Sequence, residues 1–345
     1  MKRIAVWNTA FLGDAVLTLP LLQSLRLRYP DAVLDYYVRS GLGSLFVPHP
    51  AITSVYEYDK RGRARGVSGL IRLGRDLAGR KYDLWLSAHG SVRSSLAALA
   101  SRANMRIGYR QSAFAGLCCT HLVDRGLGQL DEVERLLQFL LPLAQGQVSH
   151  WPEIVLGQQE RHEAELFFAG LAGPVLGLHP GSVWATKRWP ESCFAEIGRR
   201  ALRLGADVLL FAGHGEEAIA RSVHGRMLEN ATKTEGARLR DLSGRLSLCM
   251  LAAYISRLSC YVTNDSGPMH LAWPQRVPVT AIFGPTVRSL GFFPRGATAS
   301  VFETVLDCRP CGLHGPKSCP LKHHHCMTRV TPEAVWEDVK AKLQL

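Results

Sequence analysis

The 345-residue sequence has no apolar run of the ~18–20 residues that a bilayer crossing needs, because its most apolar stretch, Ile4 to Leu25, is broken by Asn8, Asp14 and Gln23. A transmembrane protein of that kind is excluded. A secretory signal is also lacking: after Met1-Lys2-Arg3 the apolar run Ile4 to Trp7 stops at polar residues, with no small-residue cleavage site following. Nine cysteines, an odd number in a chain of this length, make a poor disulfide framework and predict a reducing, cytoplasmic setting. No short-period repeat and no low-complexity tract beyond His323-His324-His325 is present. Acidic residues are scarce. The 29 Asp and Glu stand against 41 Lys and Arg, a formal excess of +12 that points to a phosphorylated substrate, a phospholipid surface or nucleic acid as partner.

What is present suits an ordinary globular protein of two domains, with 47% apolar and 20% charged residues. Short β-rich runs alternate with helical patterns, which predicts parallel sheets with crossover helices. The expected strands are Arg3 to Asn8, Val33 to Val38, Ser54 to Tyr58, Leu84 to Ala88 and Arg106 to Tyr109. After the linker Gln145 to Pro152 come Val175 to His179, Asp207 to Ala212, Tyr261 to Asn264 and Val279 to Phe283. One helix is expected from the Phe11-Leu12-Gly13-Asp14 turn to about Arg28, with Thr18 as cap and Pro20 in its first turn, and another from Asp131 to Leu143. Thr331-Pro332 opens a last helix. The pattern predicts an α/β protein of two doubly wound domains, residues 1–150 and 151–330, followed by a C-terminal helix over 331–345. The domains are expected to face across a cleft, with ligand at the carboxyl ends of strands.

Five segments carry chemistry. Thr263-Asn264-Asp265-Ser266-Gly267-Pro268-Met269-His270 follows an apolar strand and opens a helix. It reads either as an anion site built from backbone amides and a helix dipole, or as a plain cap with a satisfied helix histidine. In His179-Pro180-Gly181-Ser182-Val183-Trp184-Ala185-Thr186-Lys187-Arg188-Trp189-Pro190, hydroxyls and two cations suit a diphosphate, and the bracketing tryptophans argue against a merely solvated loop. Gly13-Asp14 offers a general base or an N-cap. Between Lys60 and Lys81 eight basic residues meet a single acid, Asp76, and no aromatic, a pattern that suits lipid or sugar phosphates better than nucleic acid. Cys308, Cys311, Cys319 and Cys326, interleaved with His314, His323, His324 and His325, admit a structural zinc or iron site, free thiols or disulfides. Cys118, Cys119, Cys193, Cys249 and Cys260 read as core residues. A competing dinucleotide fingerprint, Gly213-His214-Gly215-Glu216-Glu217-Ala218 with Glu235 downstream, would make the chain an NAD-dependent oxidoreductase.

In order along the chain, Phe11-Leu12-Gly13-Asp14-Ala15-Val16-Leu17-Thr18-Leu19-Pro20, the His179 to Pro190 segment, and Asn264 to His270 with Phe283-Gly284-Pro285 resemble the motifs of the ADP-heptose:lipopolysaccharide heptosyltransferases, glycosyltransferase family 9. The resemblance implies a GT-B fold of two Rossmann-like domains, the first binding acceptor and the second the nucleotide-sugar donor. It implies Asp14 as the base that deprotonates the acceptor hydroxyl, beside Gly13; the basic residues Lys60, Arg61, Arg63 and Arg65 are expected, from their charge, to meet the acceptor. For the donor it implies Lys187, Ser182 and Thr186 on the diphosphate, the Asp265, Ser266 and Gly267 turn with His270 nearby, and Glu216 or Glu217 on the nucleotide. Transfer would invert the anomeric centre and need no cofactor; the chain has no DxD pair to bridge a divalent metal to the diphosphate. The implied partners are ADP-heptose and the inner core of lipopolysaccharide, of Kdo-lipid A type, met at the cytoplasmic face of the inner membrane by peripheral contact with its anionic surface. The type II branch is the nearest in layout, with branches I and III and other glycan or protein acceptors as alternatives.

Overall fold

A computed structural model describes residues 1–59 and 66–345 and divides the chain into two compact units, Met1–Val155 and Leu156–Leu345. In the first, strands β1 (Arg3–Asn8), β2 (Val33–Arg39), β3 (Ser54–Tyr58), β4 (Leu84–Ser87), β5 (Met105–Tyr109) and β6 (His121–Val123) form one sheet in the order β3-β2-β1-β4-β5-β6. In the second, β7 (Val175–His179), β8 (Asp207–Leu210), β9 (Leu239–Asp241), β10 (Cys260–Asn264), β11 (Val279–Phe283) and β12 (Ala299–Glu303) form another, in the order β12-β11-β10-β7-β8-β9. Every pairing is parallel. Counted within its own unit, each sheet follows 3-2-1-4-5-6, the doubly wound Rossmann order. The two-domain α/β architecture that the resemblance implied is present. Its switch points lie between β1 and β4 and between β7 and β10.

The helices of the first unit are α1 (Leu12–Leu17), α2 (Leu19–Arg28), α3 (Gly66–Gly79), α4 (Val92–Ala100), α5 (Ala115–Cys118) and α6 (Glu132–Leu137). Those of the second are α7 (Gln158–Ala169), α8 (Glu191–Arg203), α9 (Glu217–Leu228), α10 (Lys233–Ala237), α11 (Leu248–Ile255), α12 (Met269–Ala272), α13 (His325–Thr328) and α14 (Pro332–Leu343). The single helix expected from Phe11 to Arg28 is two. At the break, the Thr18 hydroxyl does not cap α2 but donates back to the Asp14 carbonyl at 2.8 Å, while Asn8 Nδ2 donates to the same hydroxyl at 2.8 Å. Pro20, lacking an N–H, falls in the first turn of α2, where none is needed.

Central strands are buried along their whole length, as sheets covered on both faces require. In the first unit Trp7, Tyr37, Tyr58, Tyr82 and Trp85 form an aromatic cluster, with the Trp7 ring 4.9 Å from Tyr58 and 5.6 Å from Trp85. In the second, the core runs from Leu176 and Leu178 through α8 and α9 to Val335, Trp336, Val339 and Leu343, so α14 completes it. Thr331 caps α14 through Ala334 N–H, with Pro332 opening it. Among the described residues no helix is long and apolar enough to cross a membrane. The nine cysteines are free; Cys118 and Cys260 are buried, whereas Cys119, Cys193 and Cys249 are only half-buried.

Candidate active site

Both switch points carry the charged residues singled out in the sequence. In the second unit the loops after β7, β10 and β11 converge. Lys187 Nζ lies 2.5 Å from Asp265 Oδ2, with both side chains largely buried, and Thr286 Oγ1 donates to the same carboxylate oxygen at 2.6 Å. Asn264 ties the loops together: its Oδ1 accepts from Trp189 N–H at 2.9 Å and its Nδ2 donates to the Pro180 carbonyl at 2.8 Å. Trp189 is buried and donates its indole N–H to Val330 O at 2.9 Å, which removes it from any solvated role. Burial first of all, with Lys187 adding and Asp265 opposing, pushes the His270 imidazole down to about 4, so the ring is neutral at pH 7 and accepts from Trp273 Nε1 at 3.2 Å.

The Ser266-Gly267 turn opens α12, a single helical turn followed by a 3-10 turn, Trp273–Gln275. So short an element has little macrodipole, and the fixed positive charge here belongs to Lys187. Thr186 does not point its hydroxyl into this network. It donates to Pro316 O at 2.5 Å, and its own carbonyl meets His324 Nε2 at 2.8 Å. The residue 308–327 segment thus packs on the β7 and β11 loops. Cys311 N–H donates to Pro285 O at 2.9 Å, Arg309 donates to the carbonyls of Gly284 and Thr286, and a Cβ at Gly284 would overlap the Met327 side chain.

Glu216 and Glu217 take different partners. Glu216 sits beneath Gly181, where any Cβ would overlap its carboxylate, and lies 3.7 Å from His179 Nε2; His179 Nδ1 in turn meets the Tyr261 hydroxyl at 2.8 Å. Burial pushes the Glu216 carboxyl up, but His179, the Gly213 amide and Arg188 outweigh it and hold it below its ordinary value. Glu217 turns to the Gly215 amide at 2.9 Å. These two carboxylates occupy the amides of Gly213 and Gly215 that a pyrophosphate would use, and Glu235 is the reciprocal partner of Thr232 in a capping box. The dinucleotide reading therefore has no site.

In the first unit Asp14 stands in the first turn of α1, where Phe11 N–H donates to its Oδ2 at 3.2 Å; the cap position belongs to Phe11. Gly13 beside it is buried. Near Asp14 lies a group the sequence did not single out. Buried Glu132 on α6 is 3.1 Å from Arg135 and 3.5 Å from Arg125, and its carboxyl is pushed up by burial and by the Asp14 charge against the pull of the arginines. Lys60, Arg61, Arg63 and Arg65 lie outside the described residues.

Burial, then the charges of neighbouring thiols, push the Cys311 and Cys326 thiols up, so the cluster is gathered in space. Cys311 nevertheless hydrogen-bonds the Cys308 carbonyl and Cys326 is buried on α13. Among the described residues no group of three or more His, Cys, Asp or Glu could hold a metal ion. The zinc or iron site that their spacing admitted is not seen among the described residues.

The family model described as glycosyltransferase family 9 (heptosyltransferase) matches residues 70–314. Over 99% of this chain and 98% of its own length, lipooligosaccharide heptosyltransferase 2 of Campylobacter jejuni is 26% identical, and lipopolysaccharide heptosyltransferase 2 of Escherichia coli K12 is 25% identical over the same shares. The crystal structure of a family 9 glycosyl transferase from Veillonella parvula superposes with a TM-score of 0.86 at 26% identity, covering 99% of this chain and 97% of that one. E. coli ADP-heptose LPS heptosyltransferase II gives 0.79 at 23% identity, over 100% and 99%. With strand order, switch-point residues and full-length similarity in agreement, this chain is an enzyme, a glycosyltransferase that belongs to glycosyltransferase family 9, the heptosyltransferases.

Proposed function

We propose that the enzyme transfers heptose from ADP-heptose, with inversion, to the inner core of lipopolysaccharide, in the manner of heptosyltransferase II. The observation that carries this reading is the buried Lys187, Asp265 and Thr286 network at the strand ends of the second unit. Transfer from a nucleoside diphosphate sugar builds negative charge on the departing diphosphate, and a cation held away from water stabilises that charge far better than one in solvent. Asp265 orients Lys187, and Thr286 orients Asp265. Ser182, Ser266, Gly267 and His270 complete the diphosphate and sugar surroundings, and Glu216, held by His179, takes the ribose hydroxyls.

In this reading the first unit binds the acceptor and Asp14 removes the proton from the attacking hydroxyl. The new bond forms at the anomeric carbon on the face opposite the diphosphate, which leaves as ADP, and the configuration inverts. Gly13, Lys60, Arg61, Arg63 and Arg65 meet the phosphorylated, acidic acceptor, so reversing those charges raises acceptor KM and leaves donor affinity unchanged. Transfer needs no cofactor. The enzyme works on the cytoplasmic face of the inner membrane, in peripheral contact with its anionic surface. Full-length similarity to two relatives named heptosyltransferase 2 supports that branch.

Mass spectrometry of products from ADP-heptose with defined core acceptors tests the proposal. One added heptosyl unit on a heptose-bearing inner core is expected. Transfer from another sugar nucleotide, with none from ADP-heptose, would overturn it.

A further inference from the structure

Exposed apolar side chains are ordinarily scattered, but on α4 they line up. Val92, Leu96 and Leu99 are 43%, 42% and 49% exposed and recur at i, i+4 and i+7, so they share one face, while Ser94, Ser95, Ala97 and Ala98 are buried on the other. The next element adds to the stripe. Ser95 Oγ donates to Ala113 O at 2.7 Å, fixing beside α4 the segment that carries Phe114 and Leu117, which are 58% and 80% exposed.

Around these five side chains the charge is mostly positive. Arg93 is exposed three residues before Leu96, as its surface neighbour on the helix, and exposed Arg102 follows just past the end of α4. Alongside, α3 packs on α4, with Gly74 against Ala100 at 3.5 Å from the position of a Cβ, and carries exposed Arg72 and Arg75. From Ile71 to Cys119 the only carboxylates are Asp76 and Asp83. Asp76 is paired with Arg80 at 3.3 Å, and Asp83 accepts the Arg3 amide at 2.9 Å.

We propose that the α4–α5 face docks on an anionic bilayer, with α4 lying in the plane of the interface. The apolar side chains enter the boundary between headgroups and acyl chains, and the arginines meet lipid phosphates. A second copy is a poorer occupant, because a symmetric interface would bring two arginine rims together. The proposal rests on the functional reading above, which sets the enzyme against an anionic membrane, and names the face that meets it, on the surface that presents a lipid-linked acceptor.

Flotation of the full chain with vesicles of phosphatidylcholine, and of phosphatidylcholine mixed with phosphatidylglycerol, tests the face. Binding is expected to the anionic vesicles and to weaken with salt. Leu96→Ser combined with Leu99→Ser and Leu117→Ser should lower the partition by on the order of tenfold or more. Arg93→Glu with Arg102→Glu, an independent pair of surface changes, should lower it likewise. Both variants should melt like the parent chain and keep full transfer to a soluble, lipid-free acceptor. Absence of that transfer in the parent chain would instead count against the functional reading. The proposal fails if the parent does not float, if either variant floats as well as the parent, or if light scattering finds a dimer that the leucine variant converts to monomer.

Discussion

Strands β1 and β7 hold the same place in their two sheets, yet the loops that follow them treat charge in opposite ways. After β1 comes Asp14, half-buried and braced by a backbone amide. After β7 comes Lys187, buried against Asp265. A partly solvated carboxylate can exchange its proton with water and with a bound alcohol. A cation sealed beside a carboxylate keeps its charge and its position while the substrate changes around it. In the proposed function, one scaffold thus serves proton transfer in one unit and fixed electrostatic stabilisation in the other, through the loops that follow β1 and β7.

The largest effect should come from breaking the first half of this contrast. Asp14→Asn is expected to lower turnover by roughly 10²- to 10⁴-fold with ADP affinity unchanged, measured by steady-state kinetics and calorimetry. Equal damage to both would end the division of labour. Lys187→Met should act on the other half and on the fold as well. It leaves Asp265 buried beside only Thr286 and should destabilise the chain by roughly 3–5 kcal/mol in urea unfolding, most of it recovered when Asp265→Leu is added. A smaller change sharpens the donor half: Gly181→Ala pushes its Cβ into Glu216 and should raise donor KM about tenfold with kcat little altered. An unchanged KM would remove Glu216 from the donor contacts.

The smallest effect compares a buried histidine in each unit. Burial pushes His49 and His270 both down to about 4 from an ordinary 6.5. Each is neutral when folded and takes up a proton on unfolding below pH 6.5, so its contribution is fully present above that value and is lost as pH falls toward 4. His49→Gln and His270→Gln should each flatten the fall of stability over this window, read from urea midpoints at several pH values. A variant as acid-sensitive as the parent would show that its histidine is not held neutral.

Most of this fold was legible because central strands are continuous apolar runs ending in turn residues. The strands that were missed, β6, β9 and β12, lie at sheet edges and are only partly buried, and β6 and β9 are just three residues long, so no apolar run marks them. The break at Thr18 was hidden because both flanking helices are apolar, and it is a side-chain hydrogen bond that stops the first. At the site, Asp14, Lys187 and Asp265 stood out as charges at strand ends. Thr286 and Tyr261 did not, being ordinary types for strands and turns, although Thr286 immediately follows the Gly284-Pro285 pair; Asn264 and His179 fell within the marked segments but without a role of their own. Glu132 and Arg135 look on paper like the charged face of a solvated helix, and Arg125 like a loop cation. Only packing on α1 makes them neighbours of Asp14.

The place of α14 in the second core sets an order of events on the ribosome. By residue 155 every strand of the first sheet has been synthesised, and that unit can close while translation continues. The second cannot. Leu176 and Leu178 wait for Val335, Trp336 and Val339, and Trp189 waits for the carbonyl of Val330, so the pocket loops made early take their final shape only after a partner made some 140 residues later emerges. Until then, nascent chains should expose an unsealed apolar surface to chaperones from one half of the molecule alone.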